Sequence, residues 1–481
     1  MLSDDHGPVN PRLECLYDRE MRALPKLLVV LLLAGLVAAG AWFWSGREDG
    51  PRIEIRQPSQ FVGQATPLDL VVESPGGRFA RVDVTLEQQG RSFPVFALSQ
   101  PTEADVRQES AERLYIMRTI GKRDLPDLQP GPARIVVRAA RPVLFGLREA
   151  ASEASRDVEV RLEPPRIGAL STLHYINHGG AEFVVYRATP ADVESGVRVG
   201  DRVYPGFPAS GAGIGSDASL KVAFFALLHD QDLNTPIALY ARDAAGNEAT
   251  ATLDHRAFPK PFARSRIQLD DRFLQQVVPS IAATTPDMSL STTPGDLLGS
   301  FLKINGDLRR RNNQTVAEQA RKTAPQMLWT DAFQPLGNAA VEARFADNRT
   351  YVHDGNEVDR QVHLGFDLAV TQHVPVRAAQ NGVVVFAGDL GIYGNCIIVD
   401  HGLGVQSLYA HLSSIEVREG DRVEKGRQIG RSGMTGLAAG DHLHFTMLVS
   451  GQPVNAVEWW DPKWMEDRVL RKIREAAGPV G

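Results

Sequence analysis

An uninterrupted run of apolar residues near the N-terminus constrains this chain more than any other feature. Leu27 to Trp44 contains no charged side chain and ends on three aromatic residues, Trp42, Phe43 and Trp44. A helix needs roughly 20 apolar residues to cross the hydrocarbon core of a bilayer, and aromatic rings favour the interface with water. The absence of a polar face argues against a helix of a soluble domain. The sequence therefore predicts a membrane-spanning helix over residues 27–45.

The charges beside this run predict its orientation. Four basic residues precede it, namely Arg12, Arg19, Arg22 and Lys26. Arg47 follows closely, but Glu48 and Asp49 offset its charge. Because basic residues stay on the cytoplasmic side, residues 1–26 are predicted to be a cytoplasmic tail and the remainder external. A cleaved signal peptide is the alternative, but its apolar region is usually about 7–15 residues and ends at small residues, whereas this run ends in W-F-W.

Charge and cysteine content exclude several classes of protein. The net charge of −6 argues against nucleic acid as a partner, because a phosphate-binding surface needs an excess of basic residues. The two cysteines, Cys15 and Cys396, would lie on opposite sides of the membrane. They exclude a disulfide scaffold and a zinc site built from several cysteines.

Two external regions show the alternation of half-buried β-strands. Residues 51–163 contain Arg81–Gln88 (RVDVTLEQ), and residues 166–257, beyond Pro164-Pro165, contain Leu220–Phe225 (LKVAFF). Alternating polarity and regularly spaced turns predict two β-sandwich domains resembling immunoglobulin-like modules, although the Cys…Trp…Cys signature is missing. They would serve as a spacer or would bind envelope proteins or wall polymer.

The remaining chain divides into three further parts. Residues 258–339 carry helix-favouring stretches and are predicted to be a partly helical connector. From residue 340 to 460 β character returns, and residues 461–481 are predicted to form a short C-terminal helix and tail. The predicted fold class is therefore mainly β, with an N-terminal transmembrane helix, two sandwiches, a connector and a C-terminal antiparallel β domain.

Histidines concentrate in this last domain. Seven of the 12 lie between residues 351 and 444, namely His353, His363, His373, His401, His411, His442 and His444. His442 and His444 would point to one face of a strand, because side chains at i and i+2 do so. His363 and Asp367 offer an imidazole and a carboxylate, which are suitable zinc ligands. Each signal alone is weak. An exposed strand face would explain His442 and His444, and chance spacing would explain His363 and Asp367. His411 alone would be explained as a half-buried histidine at the end of a strand.

Together these signals resemble the LytM/lysostaphin-type zinc metallopeptidases over about residues 340–457. The motifs that carry the resemblance occur in register: Gly391-Ile392-Tyr393-Gly394-Asn395, Asp400-His401-Gly402, Tyr409-Ala410-His411-Leu412 and Gly440-Asp441-His442-Leu443-His444-Phe445. The resemblance implies an antiparallel β domain that holds one Zn²⁺ in a groove. Its ligands would be His363, Asp367 and His444, and the non-ligand catalytic histidines would be His411 and His442.

The resemblance also implies a function and a location. The chain would be a zinc-dependent endopeptidase that hydrolyses peptidoglycan peptides, held by one helix in the inner (cytoplasmic) membrane with its catalytic domain in the periplasm. The alternative is a non-catalytic relative that binds and activates a cell-wall amidase. Such relatives typically lack zinc ligands or catalytic histidines, whereas all five positions are present here.

Several neighbouring residues are open to two interpretations. Asp441 and Thr446 stand where the family usually has proline and often has glutamate, and Asp441 would be a turn residue or would alter the charge of the groove. Arg349 and Tyr351 would line the substrate groove or belong to a surface loop. We interpret His353, His373 and His401 as structural or surface residues.

Overall fold

The computed structural model describes residues 11–100 and 106–478. Residues 1–10, 101–105 and 479–481 lie outside this description, as do the side chains of Cys15, Arg12, Arg19 and Arg22. The chain divides into two compact units, which we describe separately. Unit 1 comprises Met1–Glu163 with Ala245–Asn247, and unit 2 comprises Pro164–Ala244 with Glu248–Gly481.

Unit 1 begins with a long helix, α1 (Pro11–Ser45). Its segment Leu28–Ser45 is long and apolar enough to cross a membrane, and it is the one such helix among the described residues. Almost all of its side chains are exposed, so most of this apolar surface is left uncovered within the unit. A signal sequence near the N-terminus also passes this test of length and composition.

The rest of unit 1 is a pair of packed sheets. Their strands are β1 (Arg52–Gln57), β2 (Phe61–Val62), β3 (Thr66–Glu73), β4 (Arg81–Gln88), β5 (Arg91–Ala97), β6 (Val106–Ser110), β7 (Arg113–Ile120), β8 (Gly131–Val143) and β9 (Arg148–Val160). The sheet orders are β1-β3-β7-β6 and β2-β9-β8-β4-β5. Inward residues alternate along β4, where Val82, Val84 and Leu86 are fully buried, so the alternation in the sequence does reflect a half-buried strand.

Unit 2 opens with a second pair of sheets. The strands are β10 (Arg166–Ala169), β11 (His174–Asn177), β12 (Gly180–Thr189), β13 (Glu194–Val199), β14 (Arg202–Pro205), β15 (Phe207–Pro208), β16 (Leu220–Leu227), β17 (Ile237–Arg242), β18 (Glu248–Thr252) and β19 (His255–Phe258). The sheet orders are β10-β12-β16-β15 and β14-β13-β17-β18, and β11 pairs with β19. The prediction of a mainly β chain is thus confirmed, while the immunoglobulin-like character of the two regions stays a prediction.

The connector combines one strand with helices. These elements are β20 (Arg264–Gln268), α2 (Asp271–Thr284), α3 (Leu297–Lys303) and α4 (Arg309–Gln319), with a π-helical turn at Ile304–Leu308. Asp270 caps α2, because its side chain accepts a hydrogen bond from the Phe273 amide at 2.7 Å. The apolar side of the helices, including Val278, Phe301 and Ile304, shares a core with Ile398 of the C-terminal domain.

The C-terminal domain is built from short antiparallel strands. They are β21 (Ala340–Ala343), β22 (Asp347–His353), β23 (Asn356–His363), β24 (Phe366–Ala369), β25 (Pro375–Arg377), β26 (Gly382–Asp389), β27 (Asn395–Asp400), β28 (Val405–Leu412), β29 (Ser414–Ile415), β30 (Arg422–Val423), β31 (Gln428–Arg431), β32 (His442–Val449) and β33 (Gln452–Val454). The main sheet has the order β21-β24-β32-β28-β27-β26-β30, with β33 beside β32. Helices α5 (Ala456–Trp460), α6 (Pro462–Met465) and α7 (Arg471–Ala477) follow.

The second sandwich and the C-terminal domain share one hydrophobic core. The Phe224 ring of β16 lies 5.6 Å from the Trp459 ring of α5 and 6.1 Å from the Trp329 ring. All three side chains are almost completely buried. The sequence predicts these residues to lie in separate domains, because a period-two pattern shows that a face is buried but does not show which element covers it.

A buried ion pair joins the same two regions. Lys472 Nζ of α7 donates to Glu182 Oε1 of β12 at 2.8 Å, and the side chains are only 1% and 0% exposed. Burial lowers the pKa of Lys472 and raises the pKa of Glu182. Each charge therefore depends on the other for stabilisation in the protein interior.

We expect Lys472→Ala to lower the free energy of unfolding by about 3–5 kcal/mol, because it leaves the Glu182 carboxylate buried without its cation. Denaturation with urea would measure the loss. Lys463→Ala, an exposed position on α6, is the control and should change stability by less than about 0.5 kcal/mol. Adding Glu182→Gln to the Lys472 variant should recover part of the loss, and no recovery would contradict the buried-charge explanation.

Candidate metal-binding active site

Strand pairing brings the predicted site residues to one place in the C-terminal domain. Asp367 of β24 lies opposite His444 of β32, and His442 lies two residues earlier on the same face. His444 also lies opposite Ala410 of β28, which places His411 beside it. His363 ends β23. The structure therefore gathers side chains from four strands that are up to 81 residues apart along the chain.

Three of these side chains converge on a single point. His363 Nε2 lies 2.9 Å from Asp367 Oδ1 and 3.0 Å from His444 Nδ1, and the last two atoms are 3.0 Å apart. Among the described residues, this is the one group of histidine, cysteine or carboxylate side chains placed to hold a metal ion. The atoms are close enough to share one ion at ordinary ligand distances of about 2.0–2.2 Å.

The outer hydrogen bonds of the two histidines show which nitrogens face the centre without a proton. His363 Nδ1 lies 3.1 Å from the carbonyl oxygen of Arg344, which only accepts, so this nitrogen carries the proton. Thr446 Oγ1 donates to the Leu364 carbonyl oxygen and therefore accepts from His444 Nε2 at 3.1 Å. His363 Nε2 and His444 Nδ1 consequently present lone pairs to each other and to a carboxylate oxygen. Three acceptors without a donor between them fit a cation.

The pKa shifts of His444 and Asp367 favour the forms that bind metal. Burial lowers the pKa of His444 to about 4, which keeps the ring neutral near pH 7. Burial alone would raise the pKa of Asp367, but the neighbouring His363, His442 and His444 hold it well below its usual range. A neutral imidazole and an ionised carboxylate are the forms that bind metal.

Arg349 fixes the orientation of the carboxylate. Its Nη2 donates to Asp367 Oδ2 at 2.8 Å, which leaves Oδ1 turned toward the histidines. Asp347, which accepts from Ser265 Oγ at 2.7 Å, lies on the other side of the guanidinium. The sequence predicted Arg349 to line the groove or to belong to a surface loop, and it did not predict this role, because no local pattern links Arg349 to Asp367. Thr446 was also missed as a partner of His444, although it lies two residues further along the same face of β32.

His411 and His442 stand beside the converging atoms. Their ring centroids are 4.8 Å apart. Each directs Nδ1 toward a backbone carbonyl at 2.8 Å, that of Thr435 for His411 and that of Gly440 for His442. The Nε2 atoms are thus left for the site, and that of His442 lies 3.5 Å from Asp367 Oδ1.

The backbone at His411 is held in the left-handed region, with φ at 61°. A non-glycine residue adopts this conformation at a cost of order 1 kcal/mol, and such strain concentrates at functional sites. At the end of β28 it accompanies the turning of the imidazole toward His442 and His444, whose rings are 4.8 and 5.7 Å away.

These side chains form the floor of a cavity of about 480 Å³. One wall comes from the connector, through Ile267, Phe273 and Arg309. Residues from the loops at 392–393 and 437–440 line it as well. Tyr351 lies in the same wall and packs on Phe301 with ring centroids 5.7 Å apart. A second cavity of about 500 Å³, on the other face of β32 at Leu443, contains none of the clustered histidines.

The remaining histidines lie outside this cluster. His401 is fully buried and bonds to the Asn381 carbonyl and the Ser407 hydroxyl, both at 2.7 Å. His373 is exposed, and its backbone amide donates to Asp441 at 3.1 Å. His353 lies 3.7 Å from Asp271. Asp441 thus ties two loops together, in keeping with its interpretation as a turn residue.

Comparison with known proteins identifies the same segment. Residues 361–456 match Peptidase family M23. The DD-carboxypeptidase/endopeptidase Mpg of Neisseria meningitidis is 46% identical over 97 residues, and the peptidoglycan DD-endopeptidase ShyA of Vibrio cholerae is 41% identical over 96 residues. Each match covers 20% of this chain and 22% of the relative. The likeness is therefore confined to about a fifth of each protein.

A solved structure shows a looser likeness over a longer stretch. A zinc-containing peptidase from Vibrio cholerae is 12% identical, with 85% of each chain covered and a TM-score of 0.25. We base no conclusion on a superposition at that level. The assignment depends instead on the sequence match over residues 361–456 and on the five converging side chains within it. By these two observations, the C-terminal domain of this chain belongs to peptidase family M23.

Proposed function

We propose that this chain is a zinc-dependent endopeptidase that hydrolyses peptide bonds of peptidoglycan in the cell envelope. The observation that carries the proposal is the convergence of three unprotonated acceptors with two further histidines on one cavity floor. A binding module that had lost its activity would not need to keep all five groups in this geometry. The non-catalytic activator of an amidase is therefore the weaker interpretation.

His363, Asp367 and His444 would hold one Zn²⁺. When bound there, zinc would polarise a peptide carbonyl and lower the pKa of water toward about 7. The chain contributes the orientation of the ligands, since Arg344, Thr446 and Arg349 each bond to one of them. Partners of this kind typically contribute 10–100-fold, as an order of magnitude, to metal affinity or activity.

His411 and His442 would move protons at the reacting atoms. The sequence contains no H-E-x-x-H motif, so the glutamate base of that class is missing. One Nε2 would accept the proton of the attacking water, and the other ring, as imidazolium, would donate to the oxyanion of the tetrahedral intermediate. Because both rings hold Nδ1 on a carbonyl, either could take either role, and we do not divide the roles between them.

The substrate class and the location rest on separate observations. Relatives that are named peptidoglycan DD-endopeptidases support peptidoglycan peptides as the substrate. Arg349 and Tyr351 line the cavity where a peptide would lie. The exposed apolar helix α1 supports anchoring in the inner membrane with the catalytic domain in the periplasm, and the two sandwich regions would serve as a spacer or contact other envelope proteins.

Digestion of purified peptidoglycan tests the proposal. We expect the zinc-loaded chain to release fragments whose masses, measured by mass spectrometry, correspond to cleavage of peptide bonds. Chelation should stop the release and added zinc should restore it. Intact peptidoglycan after incubation, together with stimulation of an added amidase, would instead establish the non-catalytic interpretation.

We expect Arg349→Gln to weaken zinc binding about 10–100-fold, because Asp367 loses the donor that turns Oδ1 toward the histidines. Competition with a chromogenic chelator would measure the dissociation constant. Arg360→Gln on the neighbouring strand, an exposed arginine paired with Glu357, is the matched control and should bind zinc normally. Equal affinities in the two variants would show that Arg349 does not position the carboxylate.

A further inference from the structure

The tip of the β8–β9 hairpin in unit 1 is apolar and exposed. The two strands pair without interruption from Gly131 opposite Val160 to Val143 opposite Arg148. The hairpin tip, residues 144–147, reads Leu-Phe-Gly-Leu. Phe145 is 101% exposed and Leu147 is 74% exposed. Turns of this kind usually carry glycine, asparagine or aspartate, so two large apolar side chains at the apex indicate a surface that meets something apolar.

The backbone of the tip adopts a conformation that is costly for large side chains. Leu144 and Phe145 have φ angles of 49° and 59°, in the left-handed region. Asparagine or glycine would adopt this conformation more easily. Phe145 therefore occupies a position that neither local backbone preference nor burial within unit 1 explains.

Two arginines that flank the hairpin tip contact the end of α1 and the residues that follow it. Arg148 Nη1 donates to the Trp42 carbonyl oxygen at 2.7 Å, and its guanidinium lies 5.2 Å from the Trp42 ring. Arg141 Nε donates to the Asp49 carbonyl oxygen at 2.8 Å, and its Nη2 pairs with Glu48 at 3.0 Å.

The order of these contacts fixes the direction in which the tip points. Glu48, which follows α1, pairs with Arg141, and Arg141 lies opposite Ala150 in the hairpin. Trp42, which lies earlier in the chain and within α1, bonds to Arg148, which is nearer the tip than Ala150. The residues of the tip come directly before Arg148, and they also contact α1. The tip therefore lies beside the last turns of the helix and not beside the segment that leaves it.

These contacts place the tip at the depth of a membrane surface. Trp42 belongs to the apolar segment Leu28–Ser45, three residues from its end, which corresponds to about 4.5 Å along a helix. If this segment crosses the bilayer, Trp42, Phe43 and Trp44 lie at its outer interface. A hairpin tip in contact with the same turns then lies at that interface too.

We propose that the hairpin tip is a second membrane contact, in which Phe145 and Leu147 insert into the interface of the outer leaflet while Arg148 stays at the level of the headgroups. The proposal rests on the anchoring role of α1 and goes beyond it. An anchor alone leaves unit 1 free to rotate on the membrane, whereas two contact points fix its orientation. Arginine has the long stem and charged end suited to this boundary.

A depth measurement on the full chain tests the proposal. An environment-sensitive fluorophore is attached at F145C in a chain carrying C15S, since Cys396 is buried and unreactive, and the protein is reconstituted into vesicles of phosphatidylcholine and phosphatidylglycerol. We expect a blue-shifted emission and strong quenching by lipids that carry a nitroxide near the headgroup. The control site is Q89C, in the turn after β4. This turn follows Glu87, which lies opposite Arg134 of β8. Arg134 is nine residues from Val143, the last residue of β8 before the tip. At 3.4 Å per residue, the turn is therefore about 30 Å from the tip.

A third site, L36C in the middle of the apolar segment Leu28–Ser45, is read with lipids that carry a nitroxide deep in the acyl chain and separates failure of the tip from failure of the anchor. Quenching at L36C and F145C but not at Q89C would support the proposal. Quenching at L36C alone would overturn it and leave the anchor intact, and no quenching at L36C would overturn both. A blue shift at F145C without quenching would assign the tip to a protein contact. Quenching at Q89C would indicate adsorption of the whole unit. Either result overturns the proposal.

Discussion

Replacing His444 with alanine is expected to remove zinc and peptidase activity together. The substitution deletes one of three acceptors that lie within 3.0 Å of one another. The two that remain, His363 and Asp367, would offer only two ligands, whereas catalytic zinc sites use three from the protein. We expect the zinc content measured by mass spectrometry to fall from about one ion per chain to the background, and hydrolysis with it. His363→Ala and Asp367→Ala should behave alike.

The matched control for these variants is His373→Ala. His373 is exposed in the same domain and makes no contact with the three acceptors. It should keep its zinc and its activity, which excludes a general effect of losing a histidine. Retention of zinc and hydrolysis by His444→Ala would show that the ligand set is wrong.

Replacing His411 is expected to reduce activity about 10²–10⁴-fold while zinc stays bound, because general acid–base groups contribute that much to a rate. His411 lies beside the three acceptors and is not one of them. Its backbone is left-handed, so alanine would add strain to the loss of the imidazole. Asparagine tolerates this conformation better, and His411→Asn therefore isolates the chemistry.

The comparison to make is kcat on a soluble peptide against zinc content, for His411→Asn, His411→Ala and His442→Ala. Loss of activity at full zinc occupancy in all three would support catalytic roles for both histidines. Near-normal hydrolysis by His411→Asn would show that its imidazole does not take part in proton transfer. Loss of zinc from that variant would move His411 into the ligand set.

Local periodicity predicted the part of the site that lies on one strand. His442 and His444 do share a face of β32, because alternation is a property of the strand itself. The side chains that orient the ligands were harder to predict. Arg349 reaches Asp367 of β24 from β22, a strand that pairs with β23 and not with β24, and neither strand carries a sequence signal for this contact.

The sequence also did not predict which elements pack against and cover one another. Helix-favouring stretches predicted the connector helices, but only the fold shows that Phe273 and Arg309 wall the cavity. In the same way, Glu182 and Lys472 are 290 residues apart and read separately as ordinary charged residues. Such pairs depend on register and packing between distant segments, which single-sequence patterns do not encode.

The shared core of the second sandwich and the C-terminal domain has a consequence for how this catalytic fold can be inherited. Recombination that transplanted residues 340–478 alone would carry Trp459 into its new host without Phe224 and Trp329, which cover it here. The recipient would gain an exposed aromatic surface and an unpaired Lys472 along with the catalytic histidines. The piece that keeps these contacts intact is therefore unit 2, Pro164–Ala244 with Glu248–Gly481, and not the catalytic domain alone.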